Sequence, residues 1–418
     1  MSTLSKLRND CFALPAGVHW TPVSEALDLL EQRLQCCVPV ETCAVEASDG
    51  RILADAVFAA RSHPPCTNSA VDGYAFSGGL QAGAQSFELR QGRSAAGEAF
   101  AGQLMPGQAL RILTGAALPE GADTVVLQED VQIEGGQLEV VGPLKAGANA
   151  RAAGEDMQQG AEIFQEGHQL RPEELGVMAA AGLGEVSVFK PLKVAVISTG
   201  AELRAPGQAA RVDQIFDANR PMLCALLRRW GMEVVDIGIV PDEAAAVRAA
   251  LDRAAARADV ILTSGGVSAG DEDHMSAVLR AGGGMALWRI AVKPGRPLAL
   301  GVWGGVPVFG LPGNPVAAFV CTLIFARPAL LRLAGAGFQV PKALHLPAAF
   351  SKSKKAGRRE YLRGRLRDGA VEVFASEGSG RVSGLSWAEG LVELPDVAAE
   401  ILPGQTVCFL PYASFGLP

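Results

Sequence analysis

The chain lacks the cysteine spacing of a zinc knuckle or a disulfide framework. Its eight cysteines are Cys11, Cys36, Cys37, Cys43, Cys66, Cys224, Cys321 and Cys408. None forms a C-x-x-C pair, and Cys36 and Cys37 are adjacent, which suits a reducing cytoplasm. The histidines His19, His63, His168, His274 and His345 are scattered, none at ligand spacing with another. Met1 to Asp10 has no apolar signal core. The longest apolar run, Val316 to Ala326, lies between Asn314-Pro315 and Arg327-Pro328. It is too short to cross a bilayer and reads as a buried helix, so no membrane partner is expected. No G-x-S-x-G, H-E-x-x-H, Walker-type or G-x-G-x-x-G fingerprint stands in a credible context. Fixed-period repeats and low-complexity tracts are absent as well.

What is present is a large, ordinary globular composition. With 418 residues the chain needs two to four domains. Hydrophobic residues make up 49% and charged residues 19%, which excludes a disordered chain. A net charge of -7 argues against nucleic acid as the main partner. Forty-nine glycines and twenty-five prolines imply many turns.

Residues 21–35 read as a helix capped by Thr21, with Val23, Ala26, Leu27, Leu30 and Leu34 on one face. Residues 61–150 carry short apolar runs broken by Gly and Pro and predict a small β-domain. Its strands are expected at Phe87–Leu89, Ala109–Leu113, Thr124–Leu127, Val131–Ile133 and Leu138–Val141. Arg171 to Ala181 returns to a helical pattern. From Leu192 strands alternate with helices, which predicts βαβ units and a mostly parallel, helix-covered sheet. Ligands bind beyond the carboxyl ends of strands in such sheets. After about Gly335 short strands resume, as a second small β-domain with a basic run from Lys352 to Arg367.

The most informative stretch runs from Thr263 to His274, between an apolar strand and a helix-like segment. Glycines there let backbone N–H groups approach a phosphate, and a helix N-terminus adds partial positive charge. Three acids follow, Asp271, Glu272 and Asp273. They would repel a phosphate unless a hard cation such as Mg²⁺ lay between. A capped βα turn is the plainer alternative. Glu202, after Ser198-Thr199-Gly200-Ala201, and Asp242, after Val240-Pro241, also fall at strand carboxyl ends. Each could be a helix cap, but together with Asp273 they could hold a cation. Asp271 and Glu272 then read as an ordinary acidic helix start.

Lys293-Pro294-Gly295-Arg296-Pro297 is a rigid cationic loop suited to an oxyanion. At Gly310-Leu311-Pro312-Gly313-Asn314-Pro315, Asn314 caps a helix with Pro315 in its first turn. This is either plain capping or a set of free N–H groups for an anion. Asp72-Gly73 reads locally as a D-G turn. Most of the basic run reads as a solvated face.

In order along the chain, the strings resemble the molybdopterin molybdenumtransferase family (MoeA-type, including the E domain of gephyrin). They are Ser69-Ala70-Val71-Asp72-Gly73-Tyr74-Ala75, Leu113-Thr114-Gly115-Ala116, Gly154-Glu155-Asp156, Ser198-Thr199-Gly200-Ala201-Glu202-Leu203 and Asp217-Ala218-Asn219, then Thr263 to Ser268, Lys293 to Pro297 and Gly310 to Pro315. The resemblance implies a multidomain α/β plus β fold. Residues 1–60 and 150–190 would form a split linker domain, 61–149 an inserted β-domain, 191–335 the α/β molybdopterin-binding domain and 336–418 a small β-barrel. It implies a homodimer with the active site at the subunit interface, and insertion of molybdate into adenylylated molybdopterin, releasing AMP. Glu202, Asp242 and Asp273 would hold Mg²⁺, and Lys293 would face the anions. Asp72 and Thr114 would complete the cleft from the other subunit. Arg151, Ser264, Gly265, Gly266, Ser268, Arg296, Pro312, Asn314, Pro315, Arg358, Arg359 and Ser379 would bind substrate.

Departures from the family pattern are Val71 where Met is frequent, Ala201 where many members have an acid, and Arg296 where Lys is common. The last keeps the charge but turns a point contact into a forked one. Two other classes compete: a non-catalytic scaffold on the same fold, and a molybdopterin adenylyltransferase. The flanking β-domains argue against the second, and the intact Asp72, Asp242, Asp273 and Lys293 against the first.

Overall fold

The structure is a computed structural model that describes residues 20–266, 274–282, 285–295, 297–376, 378 and 380–418. The chain forms two compact units. One contains residues up to Glu41, Gly50–Ala54 and Val188–Pro418; the other contains Thr42–Asp49 and Asp55–Ser187.

At the centre of the first unit is a six-stranded sheet. Its order is Glu233–Val240, Lys193–Thr199, Val260–Ser264, Val306–Leu311, Pro297–Trp303 and Met285–Arg289. The first four strands pair in parallel; the last two pairings are antiparallel, so Pro297–Trp303 runs against the other five. The sheet is mostly parallel, as expected, and becomes mixed at one end, where Pro297–Trp303 and Val306–Leu311 form a hairpin with no crossover helix. Both faces are buried, and strand alternation divides them. Val194, Val196, Leu262 and Phe309 pack on one side with the Asn219–Arg229 and Pro315–Cys321 helices. Ala195, Ile197, Ile261 and Val308 pack on the other with the Ala244–Ala255 and His274–Ala281 helices. Two buried faces explain why these strands read as continuous apolar runs.

The apolar run at Val316 extends further than its sequence boundary. Pro315–Leu333 is 19 residues long, apolar enough to cross a membrane by length and composition, and 94% buried. A π-helical segment at Thr322–Ala326 lets it continue through Arg327-Pro328. It is thus a core helix, longer than expected. The N-terminal helix is Val23–Arg33, with Val23, Ala26 and Leu30 buried. Thr21 does not cap it. Its carbonyl accepts from Ala291 N at 2.8 Å, and Pro22 takes the cap position.

The same unit carries a sheet ordered Val292–Lys293, Arg359–Arg367, Gly390–Leu394, Thr406–Pro411 and Leu344–Pro347, with Ala370–Val373 added beside Arg359–Arg367. Val292 and Lys293 pair in parallel with Arg359 and Glu360, which joins the cationic loop of the α/β part to the C-terminal strands.

The second unit holds a six-stranded sheet ordered Thr124–Leu127, Gly73–Phe76, Gln108–Ile112, Leu80–Ser94, Gln137–Leu144 and Val131–Glu134. The expected short strand at Phe87–Leu89 is part of the 15-residue Leu80–Ser94. The Asp72-Gly73 turn reading fails: Gly73 starts a strand. A Cβ there would lie 1.9 Å from the Val126 carbonyl oxygen, so close strand approach demands the glycine.

The Pro172–Ala180 helix of this unit begins at a capping box between Arg171 and Glu174. Glu174 is 5% exposed. The Arg171 guanidinium holds its carboxyl down to about 2 from an ordinary 4.5. Because the folded-state value is depressed, the stabilisation is present above pH 4.5 and is lost as pH falls toward about 2. Glu174→Gln is expected to cost roughly 1–3 kcal/mol at neutral pH. It should also flatten the acid-induced loss of stability in this window, read by circular-dichroism melts across pH.

Candidate functional site

The carboxyl edge of the parallel strands is level. Ser198 pairs with Ser264, Thr199 with Val240, and Ser264 with Leu311, so the loops after these strands emerge side by side. Gly265 and Gly266 both have positive φ, +87° and +66°. A Cβ on Gly265 would meet the Thr199 carbonyl oxygen at 2.3 Å. One on Gly266 would meet Thr199 Oγ1 and Met275 Cβ, each at 2.8 Å. Only glycine lets this turn lie on the neighbouring strand end. Gly313 lies against it, its Cβ direction 3.5 Å from Gly265 Cα. The result is a cradle of Ser264, Gly265, Gly266 and Gly313.

Asn219 ties the cradle together, a role that sequence reading did not give it. Its Nδ2 donates to Ser264 Oγ at 2.6 Å and to the Gly313 carbonyl at 2.7 Å. The signal available was the string Asp217-Ala218-Asn219 at a helix start. Asp217, 1% exposed, accepts from the Asn219 and Arg220 backbone N–H groups at 3.1 Å each. Several buried oxygens have no hydrogen-bond partner among the described residues: Ser198 Oγ, Thr199 Oγ1 and Thr263 Oγ1 on the two central strands, and Asn219 Oδ1 at the start of its helix. Orphaned polar atoms at one sheet edge suit a polar ligand.

Glu202 and Asp242 leave adjacent strands at this same edge. Asp242 does not cap its helix. Glu243 takes the cap position, and Asp242 Oδ1 is buried without a partner among the described residues. A buried carboxylate oxygen left open suits a hard cation. Glu202 is exposed, and its carboxylate folds back over Gly200, where a Cβ would come within 2.6 Å of Oε2. No group of three acid, histidine or cysteine ligands gathers among the described residues. Ser268, Asp273, Arg296 and Ser379 lie outside the described residues.

Asn314 settles one alternative. Its side chain accepts from Val316 N at 3.1 Å and Ala317 N at 3.2 Å, so those N–H groups are occupied by the cap. With Pro315 offering no N–H, the expected anion site at this helix start is not open there. Pro312 is buried, and its Cγ stands 3.6 Å from the Cβ direction of Gly295.

Lys293 Nζ lies 3.4 Å from Glu360 Oε2, and Lys352 Nζ approaches the same oxygen at 3.4 Å. Both lysines line a cavity of about 170 Å³ shared with Pro294, Tyr361, Arg363 and Ser376. The basic run is therefore not mostly a solvated face. Lys354 and Arg363 are 4% and 5% exposed. Arg365 and Arg367 pair with Glu372 and Glu389. The Arg359 guanidinium is engaged by Asp396 at 2.8 Å and Glu393 at 3.8 Å, while Arg358 is half-buried.

A second group forms within the other unit. Asp72 Oδ1 accepts from Thr114 N at 2.7 Å and Thr114 Oγ1 at 2.6 Å. The Thr114 hydroxyl, then its N–H, holds the Asp72 carboxyl below the ordinary range. Arg151 is exposed and pairs in register with Asn68, four residues before Asp72.

The fold and cradle define a multidomain α/β-plus-β protein with a polar, glycine-lined site at the carboxyl edge of its central sheet. Three family models match the chain. They are the MoeA N-terminal region (domains I and II) over residues 21–182, a probable molybdopterin binding domain over 195–332 and the MoeA C-terminal region (domain IV) over 345–412. The molybdopterin molybdenumtransferase of Haemophilus influenzae is 34% identical over 93% of this chain and 98% of its own length. Molybdopterin molybdenumtransferase 2 of Mycobacterium tuberculosis is 34% identical over 91% and 97%. A crystal structure of the molybdopterin biosynthesis MoeA protein from Pyrococcus horikoshii matches with TM-score 0.82 at 27% identity, covering 94% of this chain and 100% of that one. The chain belongs to the MoeA-type molybdopterin molybdenumtransferase family.

Thr114→Val removes the hydroxyl donor from Asp72. The Asp72 carboxyl is expected to titrate at higher pH, checked by NMR titration of its side-chain carbon.

Proposed function

We propose that this chain is a molybdopterin molybdenumtransferase, inserting molybdate into the dithiolene of adenylylated molybdopterin and releasing AMP and molybdenum cofactor. The geometric observation that carries the reading is the Ser264–Gly266 turn seated against Thr199 and Gly313. It supports a role as phosphate cradle: without Cβ atoms the glycines let a phosphate come close to the turn backbone, although the Gly265 N–H itself donates to the Leu311 carbonyl at 3.3 Å. Lys293, on an adjoining loop, supplies positive charge for the anionic reactants, and Glu360 steadies its ammonium. Asp242, with Glu202 and Asp273, would hold Mg²⁺. That ion, when bound, offsets phosphate charge during cleavage of the anhydride.

Asp72 and Thr114 are proposed to complete the site from a second copy in a homodimer. Their bond lowers the Asp72 carboxyl further below its ordinary range and fixes its orientation, leaving Oδ2 to take a donor from substrate. Arg151, Arg358 and Ser379 are proposed as substrate contacts. Arg296 would present a forked cation beside Lys293. A cytoplasmic setting accords with this pathway role.

The direct test is AMP release from adenylylated molybdopterin with Mg²⁺ and molybdate. Molybdate-dependent AMP is expected. None from folded protein would return the chain to a scaffold, and adenylylation of molybdopterin from ATP would assign adenylyl transfer instead. Asp242→Asn and Asp273→Asn are each expected to slow AMP release on the order of 100-fold or more. Their circular-dichroism spectra should remain those of the parent, and normal turnover by either would sink the metal-site proposal.

A further inference from the structure

We infer that Asn219 is a positioning residue that sets the hydrogen-bond polarity of Ser264, leaving the Ser264 hydroxyl proton committed to a phosphate-bearing ligand. The inference rests on the transferase reading above. The Gly313 carbonyl can only accept, so the atom of Asn219 facing it at 2.7 Å must be the amide nitrogen. That nitrogen has two hydrogens. One goes to Gly313 O, and the other goes to Ser264 Oγ at 2.6 Å. Ser264 Oγ is thus an acceptor in this pair, and its own proton must be given elsewhere.

No acceptor for that proton stands among the described residues, although Ser264 is only 2% exposed. A buried hydroxyl forced to donate outward is matched to an oxyanion and mismatched to a cation or another donor. Asn219 is itself 6% exposed, and its Oδ1 is also without a partner among the described residues. Asp217 fixes the amide's position through the helix start, by accepting from Asn219 N and Arg220 N. The same amide ties the Ser264 turn to the Gly313 turn, so polarity and spacing of the cradle come from one group.

Asn219→Asp preserves shape and reverses the polarity. A carboxylate only accepts, so it would draw the Ser264 proton inward and repel the Gly313 carbonyl. Steady-state AMP release by the wild type, Asn219→Asp, Ser264→Ala and the double variant tests this, with AMP binding by calorimetry and thermal melts alongside. Each single variant is expected to raise KM for adenylylated molybdopterin and weaken AMP binding by about 10- to 100-fold. The change in kcat should stay within about threefold, as for loss of a ground-state contact. The double variant should match the worse single variant, because both act through one proton.

Multiplying effects, or an unchanged KM in Asn219→Asp, would overturn the inference. Should Asn219→Asp lose its cooperative melt, Ser264→Ala decides alone, and an unchanged KM there overturns it equally. Failure of the wild type to release or bind AMP would instead remove the transferase reading on which the inference stands.

Discussion

Between the turns that follow two parallel strands, the Asn219 carboxamide donates to Ser264 Oγ and to the Gly313 carbonyl. Both acceptors lie where the sheet edge is most crowded, with Gly265 pressed on Thr199 and Gly313 on Gly265. Leaving a buried acceptor without its donor costs about 1–3 kcal/mol. Removing this amide would leave the buried Ser264 hydroxyl and the part-buried Gly313 carbonyl without their shared donor. The rest of the site is arranged around that closure. Asp217 anchors the helix that carries Asn219, Asn314 caps the helix behind Gly313, and the open oxygens of Thr199 and Asp242 border the same edge.

Charge is distributed in a complementary way. The edge of the sheet carries acids and open oxygens, whereas cations come from the Lys293 loop and the C-terminal strands. Glu360, 8% exposed, is approached by both Lys293 and Lys352. The parallel bridge from Lys293 to Glu360 makes this pairing a consequence of backbone register. A buried carboxylate beside two ammonium groups keeps them localised at the cavity wall.

Much of this was legible in the chain itself. The apolar runs at Lys193–Thr199 and Val260–Ser264 announced a sheet buried on both faces, and the Gly265-Gly266 turn announced a site at its edge. Local patterns misled where the decisive contact was distant. Asp72-Gly73 looked like a turn because Val126, whose carbonyl excludes any Cβ at Gly73, is far away in the chain. Asp242 looked like a helix cap because nothing local showed that Glu243 would take that position. Basic residues from Lys352 to Arg367 looked solvated because their partners Glu372, Glu389 and Asp396 join them only in the folded sheet.

Periodicity and glycine placement, which depend on local sterics and on the alternation of side chains across a strand, determined the element types, the mixed α/β and β composition and the identity of the cradle loop. Tertiary structure alone decided the strand order, the parallel pairing of Lys293 with Glu360 and the partners of each buried charge. It also decided which nitrogen and oxygen atoms meet. Asn219 and Gly313 are brought within 2.7 Å by the packing of the sheet edge, and no local pattern encodes a hydrogen bond between residues so far apart in the chain.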